Sequence, residues 1–162
     1  MGAPFKNNFA GAANTGVAYV FSTEDGQFLI QLDPFDGADD NLFVYNVAVF
    51  GDTIVVGTKN SDSVYIYGLD GTLIQQLKAH DDAVGEYFGP HVAVSENVVV
   101  VGGTPPYDEN KTVYLFTLEG ELIEMIFCPD EAWGFGSDFS IEGSRFVVGA
   151  HNLIGTGVAY VY

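Results

Sequence analysis

Four short apolar runs follow one another between Tyr87 and Phe127: Tyr87 to Asn97 around Val92-Ala93-Val94, then Val98 to Gly103, then Thr112 to Gly120, then Glu121 to Phe127. Each is rich in β-branched and aromatic residues and is bounded by Gly, Pro, Asn or Ser, the composition and punctuation of a strand between turns. The stretch therefore predicts four strands in up-and-down order.

The same runs recur along the chain. Val47-Ala48-Val49 returns 45 residues later as Val92-Ala93-Val94, and 47 after that as Phe139-Ser140-Ile141. Val55-Val56-Gly57, Val100-Val101-Gly102 and Val147-Val148-Gly149-Ala150 keep the same spacings. Val17 to Phe21 is echoed by Val64 to Tyr67, Val113 to Phe116 and Val158 to Tyr162. Asp25-Gly26-Gln27-Phe28-Leu29-Ile30 is echoed by Asp70 to Ile74 and Glu119 to Ile123. A period of this length with four strands per unit is the signature of β-propeller blades. The expected fold is all-β: four-stranded antiparallel meanders in an incomplete ring of about three to four blades, since full rings take about four to eight.

The expected blades are 1–33, lacking its inner strand, then 42–78, 87–127 and 133–162, the last lacking its outer strand. Gly2-Ala3-Pro4 matches the end of the Val-Val-Gly-Ala run, so the chain is expected to begin within a blade. Open sheet edges at both ends invite pairing with another chain. That pattern predicts either part of a longer propeller or copies that complete a ring together.

Turns from strand one to two and from three to four fall at one end of such a meander, and here they are minimal: Gly51-Asp52, Ser95-Glu96-Asn97, Glu142-Gly143-Ser144 and the Asp-Gly or Glu-Gly turns. The other end collects the long connections: Phe5 to Thr15, Lys59 to Ser63, Thr104 to Thr112 and His151 to Thr156, with acidic loops starting at Asp33, Ala79 and Pro129. Loops on a rigid scaffold are where binding resides. The candidate ligand-binding rim is accordingly Asp33, Asp36, Asp39, Asp40, Asp81, Asp82, Glu86, Tyr87, Tyr107, Asp130, Glu131 and Trp133. Tyr87, Tyr107 and Trp133 offer amphipathic rings suited to stacking on sugar or to blade packing.

Composition narrows the partners. Five Lys and Arg against 22 Asp and Glu give a net charge of −17, which argues against nucleic acid and against docking on anionic lipid. No apolar run approaches the ~18 residues of a membrane span, and no leader of signal-peptide type follows Met1. Cys128 is the single cysteine, so neither a disulfide framework nor a cysteine-based metal site is expected.

Phe88-Gly89 and Phe135-Gly136, Gly2-Ala3-Pro4 and Gly149-Ala150, and the Val-Tyr-Val-Phe type strands that follow resemble FG-GAP repeats, the blades of integrin α-chain propellers, in phase along essentially the whole chain. Two departures fall in the first complete blade, where Val44-Tyr45 is read in place of Phe-Gly and Gly57-Thr58 in place of Gly-Ala. The resemblance implies a cell-adhesion type of module at the cell surface or outside the cell. It also implies calcium loops of the form Asp-x-Asp-x-Asp-Gly-x-x-Asp between strands one and two, but the short turns here do not match that form, so no cofactor and no metal site is expected.

The acidic loop at Asp33 to Asp40 lacks a known ligand spacing, His91 begins an inner strand where it either packs or lines the central channel, and His80 and His151 sit in loops without Cys or His partners at metal spacing. Ser137-Asp138 and His151 are near one another in the repeat, without a nucleophile elbow. Asn110-Lys111-Thr112 is a glycosylation sequon. The function expected is a non-enzymatic module, with no catalytic residue, that recognises a protein or glycan through the rim. One alternative is a structural segment that self-assembles or belongs to a larger surface protein. A weaker one is a propeller enzyme such as a polysaccharide lyase or a quinoprotein, whose repeats normally end in the Trp missing at Leu77 and Ile126.

Overall fold

The computed structural model describes residues 1–4, 16–34, 43–59, 61–79, 88–103, 112–129, 134–151 and 156–162. The described residues form four antiparallel sheets, each a meander in chain order. The first holds β1 (Gly2–Ala3), β2 (Val17–Phe21) and β3 (Phe28–Leu32). The second holds β4 (Asn46–Phe50), β5 (Thr53–Gly57), β6 (Ser63–Gly68) and β7 (Leu73–Lys78). The third holds β8 (Phe88–Val94), β9 (Val99–Gly103), β10 (Thr112–Phe116) and β11 (Leu122–Phe127), and the fourth β12 (Asp138–Glu142), β13 (Arg145–Ala150) and β14 (Val158–Val161).

The sheets stack face to face. The two middle ones are covered on both sides, which is why β6, β9 and β10 read as unbroken buried runs with no polar face turned to water. β8 lies against both β4 and β12, which sets the first strand of each sheet along a common inner side. Three apolar clusters fill the three interfaces. Leu32, Phe43, Val56 and Tyr65 join sheets one and two, Val55, Ile66, Phe88 and Tyr114 join two and three, and Val100, Val113, Phe135 and Val148 join three and four.

A phenylalanine wedge repeats at each interface. Phe88 and Phe135 are fully buried where β8 and β12 are approached, and the glycine after each has positive φ, +108° at Gly89 and +81° at Gly136. Phe43 occupies the same place before β4: it is fully buried and meets Tyr65 and Tyr67 edge-on at 5.5 and 6.3 Å, as Phe88 meets Tyr114 and Phe116 at 5.3 and 5.9 Å. The residue after it, Val44, carries the positive φ of 69°. The reading of Val44-Tyr45 at the Phe-Gly position is therefore corrected by one residue, to Phe43-Val44. A β-branched side chain is strained at positive φ. Val44 is retained there with its side chain 2% exposed and packed in the first interface, so burial offsets the backbone cost.

The second departure, Thr58 for Ala, has a polar purpose. Its buried hydroxyl donates to the Ser63 carbonyl at 2.7 Å and accepts from the Ser61 hydroxyl at 2.6 Å. Ser63 in turn accepts from Gln76 Nε2 at 3.0 Å, tying the β5–β6 connection to β7. Asp62 then reaches the next sheet, accepting from the Phe88 amide at 3.3 Å.

Candidate functional site

The connections sort by end. Gly51-Asp52, residues 95–98 and 143–144, and the turns 22–27, 69–72 and 117–121 close one rim tightly. The other rim receives 4–16, 33–45, 58–62, 79–87, 104–111, 128–137 and 151–157. Of the sequence-derived rim residues, Asp33 lies among the described ones: it is exposed after β3, and its carboxylate accepts from Gln31 Nε2 at 2.8 Å. Asp36, Asp39, Asp40, Asp81, Asp82, Glu86, Tyr87, Tyr107, Asp130, Glu131 and Trp133 lie outside the described residues, as do His80 and the Asn110-Lys111 part of the sequon.

The described part of this rim gathers a different set. Asn46, His91 and Asp138 are equivalent positions, each paired with a glycine near the end of its neighbouring strand, Gly57, Gly102 and Gly149. They stand at the long-connection end of β4, β8 and β12, one per sheet, along the inner side. Tyr45, just before β4, crosses to the next sheet and meets the His91 ring edge-on at 6.3 Å. Lys59, just after β5, holds its ammonium 4.9 Å above the Tyr45 ring, a cation–π contact of about 0.5–1 kcal/mol at such a site. His151, just after β13, shares a hydrogen bond with Ser137 Oγ at 3.3 Å. Tyr45 and Lys59 escaped the list of rim residues drawn from the sequence, which took the acidic loops and the aromatics Tyr87, Tyr107 and Trp133. The repeat offset was the available signal, since Tyr45 and Asn46 fall 45 residues before Pro90 and His91.

Burial holds the His91 imidazole below the usual histidine range. Asp138 opposes that shift and His151 reinforces it. The folded state thus keeps His91 neutral at a pH where the unfolded chain, titrating near ~6.5, has begun to take up a proton. Stability is present above that value and falls as the solution is acidified, because the unfolded state then binds more protons. His91→Asn, which installs the residue found at the equivalent Asn46, is expected to flatten this acid limb. Urea unfolding at about pH 8 and about pH 5 checks it: equal losses for both proteins would remove His91 from the account.

The Asp138 carboxylate accepts from the Phe139 amide at 2.9 Å, which spends one oxygen on the start of β12 and leaves Ser137 and His151 as a pair. Calcium loops do not fit the turns between β4 and β5, β8 and β9, or β12 and β13. Gly51-Asp52, Ser95 to Val98 and Gly143-Ser144 are too short for the alternating oxygens such a loop supplies. Among the described residues no group of three His, Cys, Asp or Glu is placed to hold a metal ion.

Among curated proteins no relative is found. Among solved structures, the chain is similar in fold to a "Europium-containing methanol dehydrogenase", with a TM-score of 0.59 at 12% identity, over 83% of this chain and 32% of that one. The chain thus spans about a third of the length of the protein it resembles. At that identity the likeness speaks to the fold, a propeller-like stack of antiparallel sheets. The FG-GAP repeat profile matches residues 72–116, which run from just before β7 through β8, β9 and β10. The matched unit thus takes the outer strand of one sheet and three strands of the next, with the Phe88-Gly89 wedge between them, and this stretch of the chain is an FG-GAP repeat.

Proposed function

We propose that the protein is a non-enzymatic recognition module that binds a glycan or protein outside the cell through the rim of long connections. One observation carries the reading: the end of the stack that receives every long connection also presents Tyr45, Lys59 and His91 as a linked aromatic and cationic set on the inner side. An exposed Tyr, 44% accessible, with an ammonium over its ring offers a flat apolar face beside hydrogen-bond donors, the combination that grips a sugar ring or a polar peptide. The acidic segments from Asp33 to Asp40 and at Asp81, Asp82 and Glu86 surround that set in the chain and favour a partner with basic or neutral surface over an anionic one.

Binding of the purified protein to an array of immobilised neutral, basic and acidic glycans, and to extracellular matrix proteins, tests the proposal. Tyr45→Ala is expected to weaken the binding found by about tenfold or more, the size of one well-placed aromatic contact. Replacement of 33–40 by a Gly-Ser segment is expected to abolish it. Affinity unchanged by both variants would place recognition away from this rim.

A further inference from the structure

Among the described residues the stack presents two uncovered faces, and the repeat says what each is shaped to meet. At each internal interface, the forward face of one sheet packs on the backward face of the next. Val55, Val64 and Ile66 of sheet two face Phe88, Tyr114 and Phe116 of sheet three, and Val100, Val113 and Leu115 of sheet three face Phe135, Val148 and Tyr160 of sheet four. The strand pairings carry these positions onto the ends of the stack. On sheet four, Val147 and Val161 are a paired couple equivalent to Val100 and Leu115, yet they are 36% and 72% exposed where their equivalents are 0% and 9%. On sheet one, Phe21 is equivalent to Phe116 and Phe28 to Leu122, and the two rings, in edge contact at 5.9 Å, are 41% and 56% exposed. Among the described residues, the stack thus leaves one unmatched forward face and one unmatched backward face of the kinds that meet three times within it.

We infer that a second copy of this chain docks head to tail, setting the sheet-four face at Val147 and Val161 on the sheet-one face at Phe21 and Phe28. The contact continues the internal interfaces instead of creating a new kind of surface. Charge agrees with the match. Arg145 shares the face of Val147 by strand alternation and lies at the tight-turn rim. The β2–β3 turn at that rim of sheet one carries Glu24 and Asp25, and stacking puts the base beside the acids in a chain that is otherwise strongly acidic. A head-to-tail contact either closes a ring or runs on as a filament. Two copies bring eight sheets, within the range of about four to eight blades at which propellers close. Self-association is a property of the stack's ends and does not depend on what the rim binds. A net charge of −17 per copy opposes it, so it strengthens with added salt.

Mass measured by light scattering across concentration, for wild type and two single variants, tests the inference. Val161→Asp spoils the sheet-four face and Phe28→Asp the sheet-one face. Both positions are exposed, so circular dichroism is expected to show both variants folded. Wild type is expected to assemble, and each variant alone to associate on the order of a hundredfold more weakly, because each would place an unpaired charge in the contact. An equal mixture of the two variants regains a one-to-one complex, since it holds one intact face of each kind. A wild type that stays monomeric at all concentrations overturns the inference. So do single variants that still assemble, or a mixture that remains monomeric while wild type does not.

Discussion

Gly57→Ala is expected to lower the free energy of unfolding by about 3 kcal/mol, read as a shift of the urea midpoint at unchanged slope. Gly57 has ordinary strand geometry, so the penalty is steric. A Cβ built there overlaps the carbonyl oxygen of Gly89 in the next sheet and comes within 3.1 Å of Val92 Cγ1. The obstacle is backbone, held by the bulge between Phe88 and His91 and by the wedge beside it, and cannot rotate away as a flexible side chain would. Either β8 moves off sheet two, opening the cluster of Val55, Ile66 and Phe88, or the new methyl stays strained. The next interface repeats the contact, with a Cβ at Gly102 overlapping the carbonyl of Gly136. Gly149 occupies the equivalent place in sheet four, which meets no further sheet among the described residues, and the nearest atoms to its Cβ are 3.7 Å away on Asp138. Gly149→Ala is thus the internal control, expected within about 0.5 kcal/mol of wild type. Equal effects at Gly57 and Gly149 would show that sheet spacing is not set by these glycines.

That contact also explains what the sequence could reveal. The glycine and the apolar runs recur because every interface needs the same close approach, so the four-sheet architecture was legible from periodicity. Phe43-Val44 was not legible by motif, since a β-branched residue stands where the backbone has positive φ and the glycine that normally marks the spot is absent. Only the 45-residue offset from Phe88 could locate it. Strand alternation likewise failed to foretell that Val47 and Val49 are 40% and 66% exposed. Their equivalents Val92 and Val94 are covered by sheet two, whereas β1 is the first strand of sheet one among the described residues, so the corresponding cover for β4 is not among them. The rim set of Tyr45, Lys59 and His91 comes from the approach to β4, the end of β5 and β8, two sheets brought together by stacking. No local pattern joins residues that far apart in the chain, and so the sequence reading went to the acidic loops and the loop aromatics instead.

Phe88→Ala is expected to cost about 4 kcal/mol, more than the glycine substitution. The ring is fully buried, and two aromatic partners from its own sheet, Tyr114 and Phe116, hold it edge-on while Val55, Val64 and Leu77 close over it from sheet two. Truncation therefore removes transfer energy, two aromatic contacts and the packing of both sheets at once. The cavity cannot collapse cheaply, because the Gly57 to Gly89 approach already sets the minimum spacing of the sheets on that side. Phe88→Leu keeps most of the volume and is expected to cost about 1.5 kcal/mol. The rim adds a second readout. The Phe88 amide donates to Asp62 and the bulge that follows sets His91 beside Tyr45, so a wedge that only filled space would leave His91 titration untouched on truncation. If Phe88 also anchors the rim, the folded-state His91 pKa followed by NMR rises toward its ordinary value in Phe88→Ala, as water reaches the imidazole, and stays depressed in Phe88→Leu. A loss below about 1.5 kcal/mol for the alanine variant, with His91 unmoved, would mean that the wedge carries neither the interface nor the rim.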